Sequence, residues 1–221
     1  MARAALLVDL DGTLVDTAPD MVAALARVCV SHGQPIPDLA AASRRVSDGS
    51  MALLRAAFGD VADTERDLLL PEFLNEYTQH VADNSVLFDG WSSVLDWLEH
   101  RQLPWGIVTN KPEAISRRLL RLLELDVPHD CIIGGDTLTV RKPDPMPLLH
   151  AAERLTVTPS QCIYIGDHQR DIDAGRAAGM ATVAARWGYL KEGDSTEAWQ
   201  ADWIATKPTD LLEFLTDRWA A

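Results

Sequence analysis

The sequence predicts an α/β fold: a parallel sheet covered by helices, with a block of helices inserted after the first strand. Three observations carry this reading. Short apolar runs that end in a polar residue recur along the chain. Segments of helical periodicity lie between them, and residues 17–84 break the alternation with helical patterns alone. Continuous apolar runs of this length fit strands buried on both faces, and alternating strands and helices build parallel sheets with helical cover.

The first run, Leu6-Leu7-Val8, ends at Asp9. In the segment that follows, Met21, Val22, Leu25, Val28 and Cys29 recur at helical spacing and Gly33 offers a stop. Ser50–Phe58 and Glu65–Val81 read as further helices, with no strand between them. The expected hinges are Asp16–Pro19 and Ala82–Phe88, which divides the chain into a core of 1–16 plus 85–221 and a helical cap of 17–84. A helix over 89–101 then leads to Trp105-Gly106-Ile107-Val108, which ends at Thr109. Next come a helix over 112–124 and the run Cys131-Ile132-Ile133, which ends at Gly134. A helix over 145–155 precedes Cys162-Ile163-Tyr164-Ile165, which ends at Gly166-Asp167. A helix over 170–178, the run Ala181-Thr182-Val183-Ala184 and a helix over 208–218 complete the pattern. Ligands of such sheets bind beyond the C-terminal ends of the strands, where these polar residues sit.

Composition narrows the function classes. The chain has 221 residues and a formal net charge of −13, which argues against a nucleic-acid backbone or an anionic membrane as partner. An anionic small ligand would need a local positive site. Cys29, Cys131 and Cys162 are far apart, lie in apolar surroundings and form no ligand set, so they read as buried thiols in a reducing compartment. No apolar run approaches the ~18 residues of a membrane span, and Asp9 comes too early for the apolar region of a signal peptide. A cytoplasmic location is expected.

Each polar strand end has an ordinary structural reading. Asp9-Leu10-Asp11 can form an Asx turn, and Thr109-Asn110 can cap the next helix. Lys142, in Arg141-Lys142-Pro143-Asp144-Pro145, can be a surface lysine of a stiff loop. Gly166-Asp167-His168-Gln169-Arg170-Asp171 can be a turn with a carboxylate at a helix N-terminus. The four lie in one topology, however, and two carboxylates closing an apolar strand need a positive partner.

With Asp9-Leu10-Asp11-Gly12-Thr13, Thr109-Asn110, Lys142-Pro143 and Gly166-Asp167 with Asp171 in this order, the chain resembles the haloacid-dehalogenase-like phosphohydrolases over nearly its whole length. That resemblance implies a Rossmann-like core with an α-helical cap, and Mg²⁺-dependent hydrolysis of a phosphomonoester through an aspartyl-phosphate. Asp9 would be the nucleophile and Asp11 the general acid, then base. Asp9, Asp167 and the backbone carbonyl of Asp11 would hold the metal, with Asp171 in support. Thr109, the Asn110 backbone N–H and Lys142 would hold the phosphoryl oxygens. Cation and lysine are needed because two unit negative charges ~3.3 Å apart repel by roughly 5 kcal/mol at an effective dielectric constant of ~20.

The cap loop Arg44-Arg45-Val46-Ser47-Asp48-Gly49-Ser50 is the candidate for substrate choice. Arg45 is the candidate for an anionic group, although a solvated face is the favoured reading for an arginine here; Gly49 is the candidate for close backbone approach and Ser50 for capping the next helix. His168 lies beside Asp167, and Trp187-Gly188-Tyr189 follows the fifth strand at the edge of the site. The likeness extends to the phosphoglycolate-phosphatase-like branch. Ser47-Asp48-Gly49-Ser50, residues 103–112 and Trp187-Gly188-Tyr189 are most similar to its N-acetylmuramic acid 6-phosphate phosphatases. The expected partner is therefore a small phosphorylated metabolite, 2-phosphoglycolate or a sugar phosphate, with no nucleic acid and no membrane. The chain would act as a monomer or homodimer. A phosphomutase of the same superfamily and a phospho-accepting, receiver-like module stay open as alternatives.

Overall fold

The computed structural model describes residues 4–59 and 63–219, so the expected outer bounds of the core, at 1 and 221, lie outside the described residues. In chain order, β1 (Ala5–Val8) and β2 (Val15–Asp16) precede α1 (Ala18–Ser31), α2 (Leu39–Ser43), α3 (Ser50–Phe58) and α4 (Asp63–Gln79). Next come β3 (Val86–Leu87), α5 (Trp91–His100), β4 (Trp105–Val108), α6 (Glu113–Leu122) and β5 (Ile132–Ile133). The rest is α7 (Met146–Arg154), β6 (Cys162–Gly166), α8 (Gln169–Ala177), β7 (Ala181–Ala185), β8 (Trp203–Ala205) and α9 (Leu211–Trp219).

Six of the strands form one parallel sheet in the order β5-β4-β1-β6-β7-β8. The chain therefore winds outward from β1 in one direction and returns past it in the other, the doubly wound Rossmann-type arrangement. Its switch point lies between β1 and β6. Alternate residues of β1 face opposite cores: Leu6 and Val8 pack with Trp91, Ile163 and Ile165, whereas Ala5 and Leu7 pack with Leu148, Ala151 and Tyr164. This two-sided burial is why the strands read as unbroken apolar runs.

The helices between β2 and β3 pack on one another, α1 against α2, α3 and α4, and α3 against α4. The apolar spacing of α1 buries Met21, Val22, Leu25, Val28 and Cys29, as its sequence predicts. The chain enters and leaves this block side by side. β2 and β3 pair antiparallel, and the buried Asp20 carboxylate accepts from the Asn84 and Ser85 N–H groups at 2.9 and 2.8 Å and from Ser85 Oγ at 2.6 Å. All three cysteines are buried free thiols. No helix among the described residues is long and apolar enough to cross a membrane.

Several short elements differ from expectation. β8 has only three residues, of which Ala205 alone is buried, and β2, β3 and α2 are two to five residues long. Segments this short and half-exposed carry no periodicity to read. The C-terminal helix begins as a 3₁₀ turn over Pro208–Asp210 before α9.

Candidate active site

Val8 pairs with Ile107 on one side and Ile165 on the other, so β1, β4 and β6 end together at the switch point. Asp9 follows β1, Thr109 follows β4 and Asp167 follows β6, and all three side chains are buried. Asp9 is 5% exposed and is fixed by the sheet, its N–H donating to the Ile165 carbonyl at 2.9 Å. Its Oδ1 accepts from the Leu10 N–H at 2.8 Å and lies 2.9 Å from Lys142 Nζ.

Lys142 is far from the surface lysine that its loop position permits. It is 2% exposed, and its ammonium reaches Asp9, Asp171 (2.7 Å), the Val108 carbonyl (2.9 Å) and the Tyr164 hydroxyl (2.6 Å). Asp171 is placed by helix chemistry. It is the third residue of α8 and completes a capping box with His168, its Oδ2 accepting from the His168 N–H at 3.1 Å. Asp167 is squeezed between two glycines. A Cβ on Gly12, whose φ is +77°, would stand 2.2 Å from Asp167 Oδ2, and a Cβ on Gly188 would stand 2.2 Å from Asp167 Cβ. Asp167 Oδ2 accepts from Ser47 Oγ (2.8 Å) and the Tyr189 N–H (2.9 Å), while its buried Oδ1 has no hydrogen-bond partner among the described residues.

Oxygens of Asp9, Asp167 and Asp171 lie within 4.8 Å of one another. Burial pushes the Asp9 carboxyl up to about 6, with Lys142 opposing the rise and Asp171 adding to it. Burial also pushes Asp167 up to about 7, aided by Asp9 and Asp171. Three clustered carboxylates around a single ammonium remain short of positive charge. An all-oxygen donor set with an orphaned, buried Asp167 Oδ1 fits a hard divalent cation.

Above this floor opens a cavity of about 590 Å³. Asp9, Asp11, Thr109, Asn110 and Lys142 line it from the core, and Val46, Met51, Leu70, Leu74 and Tyr77 line it from the helical block. The Asn110 amide donates from Nδ2 to the Lys142 carbonyl at 3.0 Å, which ties the end of β4 to the Lys142-Pro143 motif. That motif lies in the loop before α7, nine residues past β5, and not at a strand end as expected. Asp11 lies off the carboxylate cluster. Its Oδ1 accepts from Thr17 Oγ1 (2.5 Å) and from Lys111 Nζ (2.7 Å).

The structure does not bring every candidate into the cavity. Gly49 and Ser50 line it, but Ser50 is the first residue of α3 and Gly49 occupies the cap position at φ +91°. A Cβ on Gly49 would meet nothing within 4 Å, so the glycine serves the backbone conformation and not a close approach. Arg45 is exposed and lines a separate cavity with Asp38 and Arg55. Val46 and Ser47, the next two residues, are buried, and that turn inward sends Arg45 outward.

Five contacting residues were not singled out from the sequence: Lys111, Thr17, Tyr77, Arg170 and Lys191. Arg170 donates to the Ser47 carbonyl, and Lys191 pairs with Asp48 at 2.8 Å, which also faces His168 at 3.4 Å. For Lys111 a signal existed, since it follows Thr109-Asn110 directly beyond a strand end. Trp187-Gly188-Tyr189, expected at the edge, grips the first motif and the strand after it: Trp187 Nε1 donates to the Thr13 carbonyl and the Tyr189 hydroxyl to Asp16 on β2.

Comparison with known proteins gives the same picture. The phosphoglycolate phosphatase of Xanthomonas campestris pv. campestris is 46% identical over 209 residues, covering 95% of each chain. The N-acetylmuramic acid 6-phosphate phosphatase of Pseudomonas aeruginosa is 39% identical over 216 residues, 97% of this chain and 96% of that one. The crystal structure of a predicted phosphoglycolate phosphatase from Haemophilus somnus superposes with a TM-score of 0.84 at 24% identity, over 96% of this chain and 97% of that one, and shares its fold. A family model for haloacid dehalogenase-like hydrolases matches residues 6–185, which includes every strand-end motif around the cavity. The chain belongs to the haloacid dehalogenase-like hydrolase family.

Proposed function

We propose that this hydrolase is a phosphoric monoester hydrolase that cleaves a small phosphomonoester, dependent on Mg²⁺, through an aspartyl-phosphate on Asp9. The observation that carries the reading is the setting of Asp9: buried, at the switch point, on the floor of a cavity, beside Lys142 and within the carboxylate cluster. Asp9, Asp167 and the Asp11 carbonyl would hold the cation, with Asp171 behind them. When bound, the cation supplies the positive charge that lets carboxylate and phosphate approach.

The chain's own residues do the rest. Asp9 attacks phosphorus, the ester P–O bond breaks, and a proton on Asp11 passes to the leaving oxygen. Asp11, now ionised, takes a proton from water as the water oxygen attacks phosphorus. The Asp9–phosphorus bond breaks, and phosphate, the Asp9 carboxylate and protonated Asp11 are restored. Thr109, the Asn110 N–H and Lys142 hold the phosphoryl oxygens during both steps. Lys142 is already aimed by its bonds to Val108 and Tyr164.

The relatives' names leave two substrate classes, and the cavity favours the bulkier. A volume of about 590 Å³, with a far wall that mixes Val46, Met51, Leu70, Leu74 and Tyr77 with Ser47, Asp48 and Ser50, lies in the range that encloses drug-sized ligands, whereas a two-carbon acid leaves most of it to water. The three buried free thiols support a reducing, cytoplasmic setting. Phosphate release from N-acetylmuramic acid 6-phosphate and from 2-phosphoglycolate, compared by kcat/KM with Mg²⁺, tests both levels. Turnover of either supports the phosphatase reading, and a higher kcat/KM for the sugar ester supports the cavity argument. A higher value for 2-phosphoglycolate overturns the substrate preference, and no release from any phosphomonoester overturns the whole.

A further inference from the structure

Asp11 is held from two sides. The Thr17 hydroxyl (2.5 Å) and the Lys111 ammonium (2.7 Å) both meet its Oδ1, which leaves Oδ2 as the oxygen for proton exchange. Lys111 is the more demanding of the two. Its side chain is 4% exposed, and its ammonium lies 4.4 Å from the centre of the Tyr77 ring on α4 and 3.9 Å from Met21 Sδ on α1. The cation is thus gripped by a core carboxylate below and by an aromatic face and a thioether of the helical block above.

A buried ion pair of this kind is a weak device for stability, because desolvation offsets most of its attraction. Lys111 is also remote from the duty of Lys142, since its charge goes to Asp11 and Lys142 serves Asp9 and Asp171. From this geometry we infer that Lys111 is a positioning residue for Asp11. It fixes Oδ1 and aims Oδ2 at the leaving-group oxygen, with Tyr77 and Met21 of the helical block packed on its ammonium. The inference rests on the acid–base role proposed for Asp11. It adds a specific link between the helical block and the proton-transfer step.

Leaving-group dependence tests it. The parameter kcat/KM ends at the first P–O cleavage, so the later use of Asp11 as a base does not enter. A p-nitrophenolate departs without a proton and an alkoxide does not. Lys111→Met is expected to lower kcat/KM ~100-fold for an alkyl phosphomonoester but less than ~3-fold for p-nitrophenyl phosphate, since a positioned acid contributes at least that much. Equal losses for both esters overturn the inference, because a purely structural or binding role has no leaving-group preference. Should Lys111→Met fail to fold, Tyr77→Leu gives the same readout: a smaller but alkyl-selective loss supports the role and an equal loss overturns it. Asp11→Asn separates the two levels. Selective loss in Asp11→Asn with uniform loss in Lys111→Met overturns the positioning role alone, whereas uniform loss in Asp11→Asn overturns the acid role beneath it.

Discussion

The two walls of the cavity are held by different forces. On the core wall, Asp9, Thr109 and Asp167 extend directly from paired strands, and backbone hydrogen bonds such as Asp9 N–H to Ile165 fix where each begins. On the opposite wall the helical block meets the core mainly through side chains: Ser47 on Asp167, Arg170 on the Ser47 carbonyl, Asp48 on Lys191, Tyr77 over Lys111. Attack at phosphorus needs groups set to within a fraction of an ångström, and a sheet edge provides that rigidity. Admission of different esters needs a wall that can be remodelled, and loops with side-chain contacts provide that. Chemistry and selection are therefore expected to fail separately, except where Tyr77 packs on Lys111 and joins the two walls.

The sharpest break comes at the rigid wall. Asp9→Asn is expected to lower kcat on the order of 10⁴-fold or more, as loss of a covalent nucleophile does, with the fold retained by circular dichroism. Next is the cation site. Saturating Mg²⁺ at ~100 times its Kd is expected to stabilise the wild type by about 2.7 kcal/mol, read as a rise in Tm, and Asp167→Asn to remove that rise. The same cluster sets a pH slope. Asp9 and Asp167 are raised to about 6 and about 7 in the cation-free chain, so the folded state holds these protons more tightly than the unfolded state. Their stabilising contribution is complete below the ordinary carboxylate value and is lost as pH rises through about 6 and then about 7. The cation-free Tm is expected to fall across that window, less so in Asp167→Asn, and Mg²⁺ to offset the fall because it binds the ionised carboxylates. A cation-free Tm that climbs through the window in parallel in both proteins contradicts the crowding of the cluster.

The looser wall should give smaller effects. Lys191→Met removes a half-exposed pair with Asp48, an interaction worth at most ~1 kcal/mol. A rise in KM of a few-fold with kcat nearly unchanged is the expected result in steady-state kinetics. A large loss of kcat would instead make Asp48 part of the rigid machinery. Arg45→Ala should leave kcat/KM within about 2-fold for any substrate, as expected of a surface substitution outside the cavity. A larger loss would place the arginine on the substrate.

The same division explains what the sequence made legible. The strand ends could be read because each is a local pattern, an apolar run closed by a polar residue, and parallel topology alone brings such ends together. Burial of Lys142 could not be read locally, since a lysine between Arg141 and Pro143 looks solvated until Asp9, Asp171 and Tyr164 surround it. The contacts across the cavity join residues far apart in the chain: 100 positions separate Lys111 from Asp11 and 120 separate Ser47 from Asp167. No spacing rule reaches across such gaps. Arg45 is ambiguous for the opposite reason: its charge fits a ligand or a solvated face, and the burial of Val46 and Ser47 is what turns it outward.

The nucleophile assignment is tested most directly by trapping. Asp11→Asn, mixed with Mg²⁺ and p-nitrophenyl phosphate and quenched in acid within one turnover, is expected to carry one phosphoryl group on Asp9 in fragment mass spectra. Phosphate release in that variant with no adduct, or an adduct on any other residue, contradicts it.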